Sequence, residues 1–275
     1  LTRTGKIGEG AIGEVFKGVL DESRDSGVPG YLAACKSVVD ATGEGAHDLL
    51  QEAVVMAQVG HHENLVSLIG VVTSGTPLVL VIAYCERGSL LSVLREQDEK
   101  GAPLSVAAKL TFCVNIASGM EHLASLHYIH RDLAARNVLV DAGFVGRVAD
   151  FGLSRGTSVN ADGDAGGGHY YRSQSGVFPV RWTPPEAMDE LKFTTASDVW
   201  SFGIVMAEIF DNGRIPYAGV ETEAVIRLVC QGDRMAQPAG CSSDIYRIMY
   251  ACWCTDPNAR PRFAVLIPGL KAELE

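Results

Sequence analysis

The sequence lacks a hydrophobic run long enough to cross a membrane. Its longest unbroken apolar stretch, Leu78 to Tyr84, has seven residues, whereas a membrane-spanning helix needs about 20. Runs of lysine or arginine are also missing, and 33 acidic against 23 basic side chains give a formal net charge of -10. Because nucleic-acid binders need a basic surface, we expect no nucleic-acid partner. Because the apolar run is short, any membrane attachment should come from segments outside these 275 residues.

Cysteine occurs seven times, but no two cysteines form a CxxC pair. They are scattered along the chain, several within apolar runs, at Cys35, Cys85, Cys113, Cys230, Cys241, Cys252 and Cys254. Metal ligation and disulfide bonds are alternatives, but this distribution favours buried, reduced thiols. Reduced thiols indicate an intracellular compartment.

What the sequence does contain is an ordinary globular composition, with 47% hydrophobic and 20% charged residues. Up to about residue 85 the pattern favours strands, with period-two alternation from Val15 to Leu20 and short apolar runs at 31–39 and 78–84. One helix is predicted in this part, over Ala46 to Val59. Longer helical stripes follow, at residues 110–123, 199–209 and 245–253. The pattern predicts an α+β protein with a β-rich lobe, a helical lobe and a ligand-binding cleft between them.

The segment from Gly8 to Gly13 is a GxGxxG motif. Alone, this motif is compatible with a dinucleotide-binding fold, a loop over ATP phosphates or a plain hairpin turn. A dinucleotide-binding fold needs a strand before the glycines and a helix after them. Only seven residues precede Gly8, and strand-like alternation follows Gly13, so a glycine hairpin over phosphates is favoured.

A lysine and a glutamate are expected to meet beside this hairpin. Lys36 lies in the predicted strand at 31–39, and Glu52 lies on the apolar stripe of the predicted helix, near Leu49 and Met56. An unpaired carboxylate would be costly on that stripe. Lys36 is therefore its natural partner, and the ion pair would aim the ammonium group at phosphate oxygens. The alternative is a Glu52 side chain that turns out to solvent.

The most specific pattern is HRDLAARN at residues 130–137, followed by DFG at 150–152. With these motifs in this order, the sequence resembles the protein kinases, and the resemblance implies a protein-kinase-like bilobal fold. It also implies that Asp132 accepts or orients the proton of the attacking hydroxyl. Asn137 and Asp150 would hold Mg²⁺.

The same resemblance implies an ATP site between the lobes. Lys36, paired with Glu52, would contact the α- and β-phosphates. Ile82 would line the back of the adenine pocket. Ala83 stands where the family often has a glutamate. Because backbone groups normally bind adenine at this position, ATP binding is expected to be retained. The expected nucleotide contacts are Ile7, Gly8, Gly10, Gly13, Val15, Ala34, Lys36, Ile82, Ala83, Tyr84, Cys85 and Leu139.

The resemblance covers nearly the whole chain, so residues 1–275 are expected to form one kinase catalytic domain. We place the amino-terminal lobe at about residues 1–82, the hinge at 83–88 and the carboxy-terminal lobe at 89–275.

Three later landmarks carry structural expectations from the same resemblance. Pro184-Pro185-Glu186 stands where kinases usually have Ala-Pro-Glu, so the first position differs. Glu186 is expected to form an ion pair with Arg260 that anchors the substrate-binding segment. Asp198 is expected to brace the catalytic loop from below.

Two signals specify the acceptor hydroxyl. Serine/threonine kinases usually have a lysine two residues after the catalytic aspartate, but here that position is Ala134. Arg136 lies four residues after Asp132, as in tyrosine kinases, and is assigned to the catalytic set. Residues 178–182 also resemble the tyrosine-kinase platform, on which a long phenolic side chain reaches the base. The resemblance therefore implies a protein tyrosine kinase that uses ATP and Mg²⁺ and acts on protein substrates.

Tyr170 and Tyr171 are candidate regulatory residues. They follow a glycine-rich stretch at 156–168 that, like 21–30, is predicted to be a mobile loop. Because their neighbours are small and polar, we predict autophosphorylation in trans at Tyr170, Tyr171 or both, through transient self-association. Arg131 would receive one phosphate.

Two questions about the whole protein remain open from the sequence. A catalytically silent kinase-fold scaffold is the alternative function, but it would normally lack part of the catalytic set, which is complete here. The parent protein could be a cytoplasmic kinase or a receptor. The paired tyrosines and residues 232–235 favour the intracellular domain of a single-pass plasma-membrane receptor.

Overall fold

The computed structural model describes residues 1–10, 13–23, 28–38, 43–74, 77–157, 170–173 and 178–275. Residues 24–27 and 158–169, within the two loops predicted to be mobile, lie outside this description. The mobility of those loops stays a prediction.

The amino-terminal part is an antiparallel five-stranded sheet in the order β1-β2-β3-β5-β4. Its strands are β1 (Thr2–Gly10), β2 (Gly13–Glu22), β3 (Val28–Val38), β4 (Leu68–Val72) and β5 (Leu78–Ala83). Successive side chains of a strand point to opposite faces. On β3, Cys35 therefore packs with Phe16 in a small cluster on the outer face, while Lys36 points to the opposite face, towards the following helix.

That helix, α1 (Glu44–Val59), packs against the inner face of the sheet. Its buried side chains recur at helical spacing and include Leu49, Glu52 and Met56. The helix ends at Gly60, whose φ of +72° with a ψ of -162° is a conformation that glycine takes without strain.

The carboxy-terminal part is helical. Its helices are α2 (Leu90–Glu99), α3 (Val106–Ser125), α4 (Pro185–Glu190), α5 (Thr195–Phe210), α6 (Thr222–Cys230), α7 (Ser243–Ala251) and α8 (Phe263–Ala272). Serine side chains cap the amino termini of α2, α3 and α7 by accepting backbone N–H bonds. Every residue of α5 from Ser197 to Phe210 is buried, so α5 forms the centre of this lobe.

Six short strands form three antiparallel pairs in the same lobe. They are β6 (Tyr128–Ile129) with β9 (Arg155–Gly156), β7 (Val138–Val140) with β8 (Gly146–Val148), and β10 (Tyr171–Arg172) with β11 (Lys192–Phe193). The β7–β8 hairpin carries the catalytic motifs at its ends. The β10–β11 pair fixes Tyr171, one of the two candidate regulatory tyrosines, against the helical lobe, and Tyr170 directly precedes it.

The α+β bilobal fold predicted from the sequence is confirmed. All seven cysteines are free, and five of them are buried, as expected; Cys230 is exposed and Cys254 is partly exposed. Within the described residues, no helix is both long enough and apolar enough to span a membrane.

Candidate active site

Lys36, Glu52 and Asp150 meet where the sheet, α1 and the β8 end come together. The Lys36 Nζ atom lies 2.7 Å from Glu52 Oε2 and 3.5 Å from Asp150 Oδ1. Glu52 is only 3% exposed, so the alternative in which it turns out to solvent does not hold. The Asp150 side chain is 48% exposed and therefore presents a carboxylate to the cleft.

The charge state of Lys36 follows from these neighbours. Burial alone would lower its pKa, but the Glu52 and Asp150 carboxylates outweigh burial and raise the pKa of Lys36. The ammonium group is therefore fully charged at neutral pH. An ammonium has three donors, so the pair with Glu52 leaves Lys36 able to bind a further anion.

The catalytic loop rests on the first turn of α5. The carboxylate of Asp198, 1% exposed, accepts the main-chain N–H groups of His130 and Arg131 at 2.8 and 3.0 Å. This contact holds Arg131 at a φ of +70°, a conformation that non-glycine residues rarely adopt. Asp198 thus braces the loop as the resemblance implied, and α5 supplies a rigid base because it is buried along its length.

Asp132 projects from this loop with both carboxylate oxygens engaged. One oxygen forms an ion pair with Arg136, and the other accepts a hydrogen bond from Asn137 Nδ2 at 2.8 Å. Asn137 Nδ2 also bonds to the Asp132 carbonyl at 2.7 Å. Burial raises the pKa of Asp132, although Arg136, His130 and Asn137 oppose the shift. A raised pKa suits a group that must take up a proton during reaction.

Asn137 and Asp150 lie at the same end of the β7–β8 hairpin. Val138 pairs with Val148, and the Ala149 N–H bonds to the Asn137 carbonyl at 2.8 Å, which brings the residues just outside the two strands together. Carboxylate and amide oxygens are the hard donors that Mg²⁺ prefers. The described residues contain no group of three or more His, Cys, Asp or Glu side chains suited to a metal.

The expected nucleotide contacts lie on both sides of the cleft. Val15 pairs with Lys36 and Ile82 pairs with Ala34, which gives these side chains the same face of the sheet as Lys36. Leu139, on β7, pairs with Ser89 beyond the segment that joins the lobes. The remaining contacts are placed as follows: Ile7, Gly8 and Gly10 on β1, Gly13 on β2, Ala83 at the end of β5, and Tyr84 and Cys85 just after it.

The glycine motif forms the β1–β2 hairpin, with Gly10 paired to Gly13. A strand follows the glycines, not the helix that a dinucleotide-binding fold requires. A Cβ atom at Gly13 would lie 2.0 Å from the Ser37 carbonyl oxygen. Glycine is thus required at this position for β2 and β3 to approach each other.

Arg136 connects Asp132 to the expected substrate platform. Its guanidinium lies over the Trp182 ring, 4.6 Å from the centroid. Trp182 Nε1 donates to Glu208 Oε2 at 2.8 Å, and the same oxygen accepts the Ala135 N–H at 3.0 Å. The sequence patterns did not point to Glu208. A carboxylate within a helix that is apolar on all faces was the signal that could have revealed it.

The ion pair expected between Glu186 and Arg260 is present and bidentate. The two guanidinium nitrogens lie 2.6 and 2.9 Å from the two carboxylate oxygens. Arg260 also donates to the carbonyls of Cys254 and Ala196, each at 2.9 Å. This pair ties the start of α4, and so the end of the platform segment, to the loop before α8.

The candidate regulatory residues are also brought together. The Arg131 guanidinium lies 4.5 Å from the centroid of the Tyr171 ring, and Lys192 Nζ lies 4.3 Å from that of the Tyr170 ring. Both tyrosines are half-buried. Each tyrosine therefore contacts a different cation.

Comparison with known proteins identifies the family. A family model described as protein tyrosine and serine/threonine kinase matches residues 1–270. Ephrin type-B receptor 4b of Danio rerio is 38% identical over 268 residues, which cover 96% of this chain and 26% of that protein. Ephrin type-A receptor 5 of Gallus gallus is 40% identical over 264 residues, covering 96% of this chain and 25% of that protein. The chain spans about a quarter of the length of these relatives, and it belongs to the protein tyrosine and serine/threonine kinase family.

Proposed function

We propose that this domain transfers the γ-phosphoryl group of Mg·ATP to tyrosine hydroxyls of protein substrates. The observation that carries this proposal is the convergence of Lys36, Asp132, Asn137 and Asp150 on one cleft between the lobes. Phosphoryl transfer depends mainly on positioning and on stabilisation of charge on oxygen. A buried ammonium group, a partly buried carboxylate and two oxygen donors supply these functions.

Each residue has a proposed task. Lys36, oriented by Glu52, binds the α- and β-phosphates through its remaining N–H donors. Asp132 orients the acceptor hydroxyl and takes up its proton, and its raised pKa favours that step. Asn137 holds the Asp132 carboxylate in place through its amide N–H. Asn137 and Asp150 would hold Mg²⁺, which when bound neutralises charge on the phosphate oxygens.

The preference for tyrosine is proposed from the platform beside Asp132. Arg136 contacts Asp132 on one side and stacks on Trp182 on the other. Arg181 donates to three carbonyls of the loop after α5, those of Pro216, Tyr217 and Val220, at 2.6 to 3.0 Å. These bonds hold the platform in place beside Asp132, and the resemblance to tyrosine kinases implies that a long phenolic side chain lying on it reaches Asp132.

Phosphate transfer from labelled ATP to a Glu/Tyr copolymer and to a matched serine peptide tests the proposal. We expect transfer to the copolymer, little to the serine peptide, and loss of both after removal of Mg²⁺ with a chelator. The catalytically silent scaffold is supported instead if ATP binds but no transfer occurs. Comparable rates on matched tyrosine and serine peptides would contradict the tyrosine assignment.

Regulation by autophosphorylation in trans, through transient self-association, is part of the same proposal. The contact of Tyr170 with Lys192 supports it, because this tyrosine lies beside a cation that could bind a phosphate. Mass spectrometry after incubation with Mg·ATP is the test. Without phosphate on either tyrosine, the regulatory site lies elsewhere.

Within the domain, we propose that residues 83–88 act as the hinge between lobes 1–82 and 89–275.

The location of the whole protein is proposed from the likeness to the ephrin receptors. The domain would lie on the cytoplasmic side of the plasma membrane, attached through a single span outside this sequence. The sequence upstream of Leu1 tests the attachment: recognition modules in place of a hydrophobic segment of about 20 residues would indicate a cytoplasmic kinase.

A further inference from the structure

Arg131 lies in an unusual environment for a charged side chain. It is only 5% exposed, and its guanidinium is held between two aromatic rings, 4.5 Å from the Tyr171 centroid and 4.7 Å from the Phe193 centroid. Its terminal nitrogens donate to the Leu153 carbonyl at 3.0 Å and to Ser173 Oγ at 2.9 Å. The side chain thus connects the catalytic loop to the segment after the DFG motif and to residues 171–173.

Besides its two hydrogen bonds, aromatic contact compensates this buried charge. Among the described residues, no ion pair involves Arg131, and its Nε atom has no hydrogen-bond partner. A desolvated cation between two π faces gains a favourable electrostatic interaction from each. The Tyr171 ring therefore occupies a position beside the Arg131 guanidinium at which a bound phosphate could otherwise neutralise the charge.

Tyr171 is also fixed by its backbone and by apolar packing. It pairs with Phe193 in the β10–β11 ladder, and its ring packs on a buried cluster of Ile129, Ala187 and Phe193. To reach the active site of a second molecule, Tyr171 would have to break these contacts and uncover Arg131. Its surroundings suit a packing residue better than a phosphate acceptor.

Tyr170 has different surroundings. Its ring contacts Lys192 Nζ at 4.3 Å, and Lys192 is paired across the ladder with Arg172. Like charges directly opposite each other destabilise a pair of strands. A phosphate on Tyr170 would bring about -1.5 to -2 charges next to these two cations and would turn their repulsion into attraction.

We propose that the two adjacent tyrosines have separate tasks: Tyr171 positions Arg131 through its aromatic ring and is not phosphorylated, whereas Tyr170 is the phosphate acceptor and Lys192 and Arg172 bind its phosphate. The proposal rests on the proposed kinase function and refines its regulation. It gives the unphosphorylated enzyme an ordered catalytic loop and a basal rate, and the phosphate then strengthens the β10–β11 pair.

Substitutions at Tyr171 separate the ring from the hydroxyl. In phosphatase-treated enzyme, Tyr171→Phe keeps the ring and should retain the basal kcat within about twofold. Tyr171→Leu removes the ring and should lower kcat by on the order of tenfold or more, with a smaller change in the KM for ATP, because Asp132 is misplaced. Tyr250→Leu, on the exposed face of α7, is the matched control and should not change kcat. If Tyr171→Phe is as slow as Tyr171→Leu, the hydroxyl is needed and the proposal fails.

Site mapping tests the second task. After incubation with Mg·ATP, phosphate should be found on Tyr170 and not on Tyr171, and Tyr170→Phe should retain the basal rate but lose the activation. Lys192→Gln should be phosphorylated on Tyr170 yet gain less activity than the wild type, whereas the control Lys100→Gln should gain as much. Phosphate on Tyr171, or full activation of Lys192→Gln, would overturn the assignment.

A structural readout distinguishes failure of this proposal from failure of the kinase function. The Ser173 N–H bonds to the Leu191 carbonyl at 2.8 Å, so its hydrogen exchange reports on the β10–β11 region. Exchange should accelerate in Tyr171→Leu but not in Tyr171→Phe, whether or not the protein transfers phosphate. If the wild type is inactive, an added active tyrosine kinase can phosphorylate Tyr170, and exchange should then slow in wild type but not in Lys192→Gln. Equal exchange in all variants contradicts the proposal.

Discussion

Two ion pairs with buried cations, one in each lobe, differ in what their cations do besides pairing. In the sheet lobe, Lys36 bonds to Glu52 at 2.7 Å and has Asp150 at 3.5 Å. In the helical lobe, Arg260 bonds to Glu186 at 2.6 and 2.9 Å and also donates to two main-chain carbonyls. Lys36 thus retains bonding capacity towards a cleft, whereas Arg260 uses most of its donors within the fold.

On the proposed function, this difference separates a catalytic ion pair from a structural one. Both cations are buried, so burial of the cation alone does not tell the pairs apart. A cation that is held by one partner and faces a solvent-accessible carboxylate can bind a charged ligand, but a cation with most of its donors engaged by the fold stabilises the packing around it. We therefore expect substitution of Lys36 to affect mainly the rate and substitution of Arg260 to affect mainly the stability.

The largest expected effect is on the rate of Lys36→Met. It should fall by on the order of a hundredfold to a thousandfold in kcat/KM, because a charge that stabilises the transferring phosphate is lost. The melting temperature should change little, since Glu52, whose pKa burial raises, can take up a proton. Lys100→Met, which breaks the exposed pair with Glu96, is the matched control and should leave both unchanged. A kcat/KM of Lys36→Met within about tenfold of the wild-type value would contradict the catalytic role proposed for Lys36.

Next in size is the stability loss of Arg260→Ala. Arg260→Ala breaks two bonds to main-chain carbonyls and leaves Glu186, whose side chain is 25% exposed, without its partner, so the loss of unfolding free energy should approach but not reach the about 3–5 kcal/mol of a fully buried pair. Arg260→Lys should lose less, because lysine keeps the charge but not the bidentate geometry. Urea unfolding of both variants beside Lys36→Met is the measurement. Equal losses of unfolding free energy in Lys36→Met and Arg260→Ala would show that the two ion pairs contribute equally to stability, which contradicts the comparison.

A smaller effect is expected from Glu52→Gln, which mimics a protonated Glu52 without removing the side chain. The amide can still accept a bond from Lys36 but no longer fixes it as an ion pair, so kcat/KM should fall by about tenfold to a hundredfold. Glu186→Gln, the same change in the other pair, should reduce the rate less and the stability more. The opposite order of rates would reverse the assignment of the two pairs.

The acid limb of the pH–rate profile is the smallest of these effects. Burial raises the pKa of Asp132 and that of Glu52, and the ionised forms of both are the active ones. Activity should therefore fall as the pH decreases through a midpoint above about 4, the ordinary value for carboxyl groups. Rates measured between about pH 4.5 and 8, a range that begins just above the ordinary carboxyl values, test this. A rate that is constant down to pH 4.5, roughly the unperturbed glutamate value, would contradict the raised pKa values.

The parts of the site that local pattern specifies could be predicted from the sequence. A short apolar run indicated the strand that carries Lys36, and the apolar stripe of α1 indicated the buried position of Glu52. Motif order then indicated Asp132, Asn137 and Asp150, and their convergence agrees with the structure. The helices α2, α6 and α8 were not predicted, since their short apolar stripes are hard to tell from loops.

Contacts between distant segments could not be predicted in this way. The sandwich around Arg131 needs the pairing of Tyr171 with Phe193, a two-residue ladder without a recognisable pattern. The link from Trp182 to Glu208 depends on how the platform segment lies on α5. Both arise from tertiary packing, which fixes side chains that the local sequence leaves undetermined.

The most direct test of the proposed catalytic mechanism is the single-turnover rate of tyrosine phosphorylation by Asp132→Asn, measured at saturating Mg·ATP. Asparagine keeps the size of the side chain but cannot take up the hydroxyl proton. We expect a rate lower by on the order of a hundredfold to ten-thousandfold, with the affinity for ATP unchanged. A rate within about tenfold of the wild type would contradict the role of Asp132 as the group that takes up the proton, and with it the proposed arrangement of the active site.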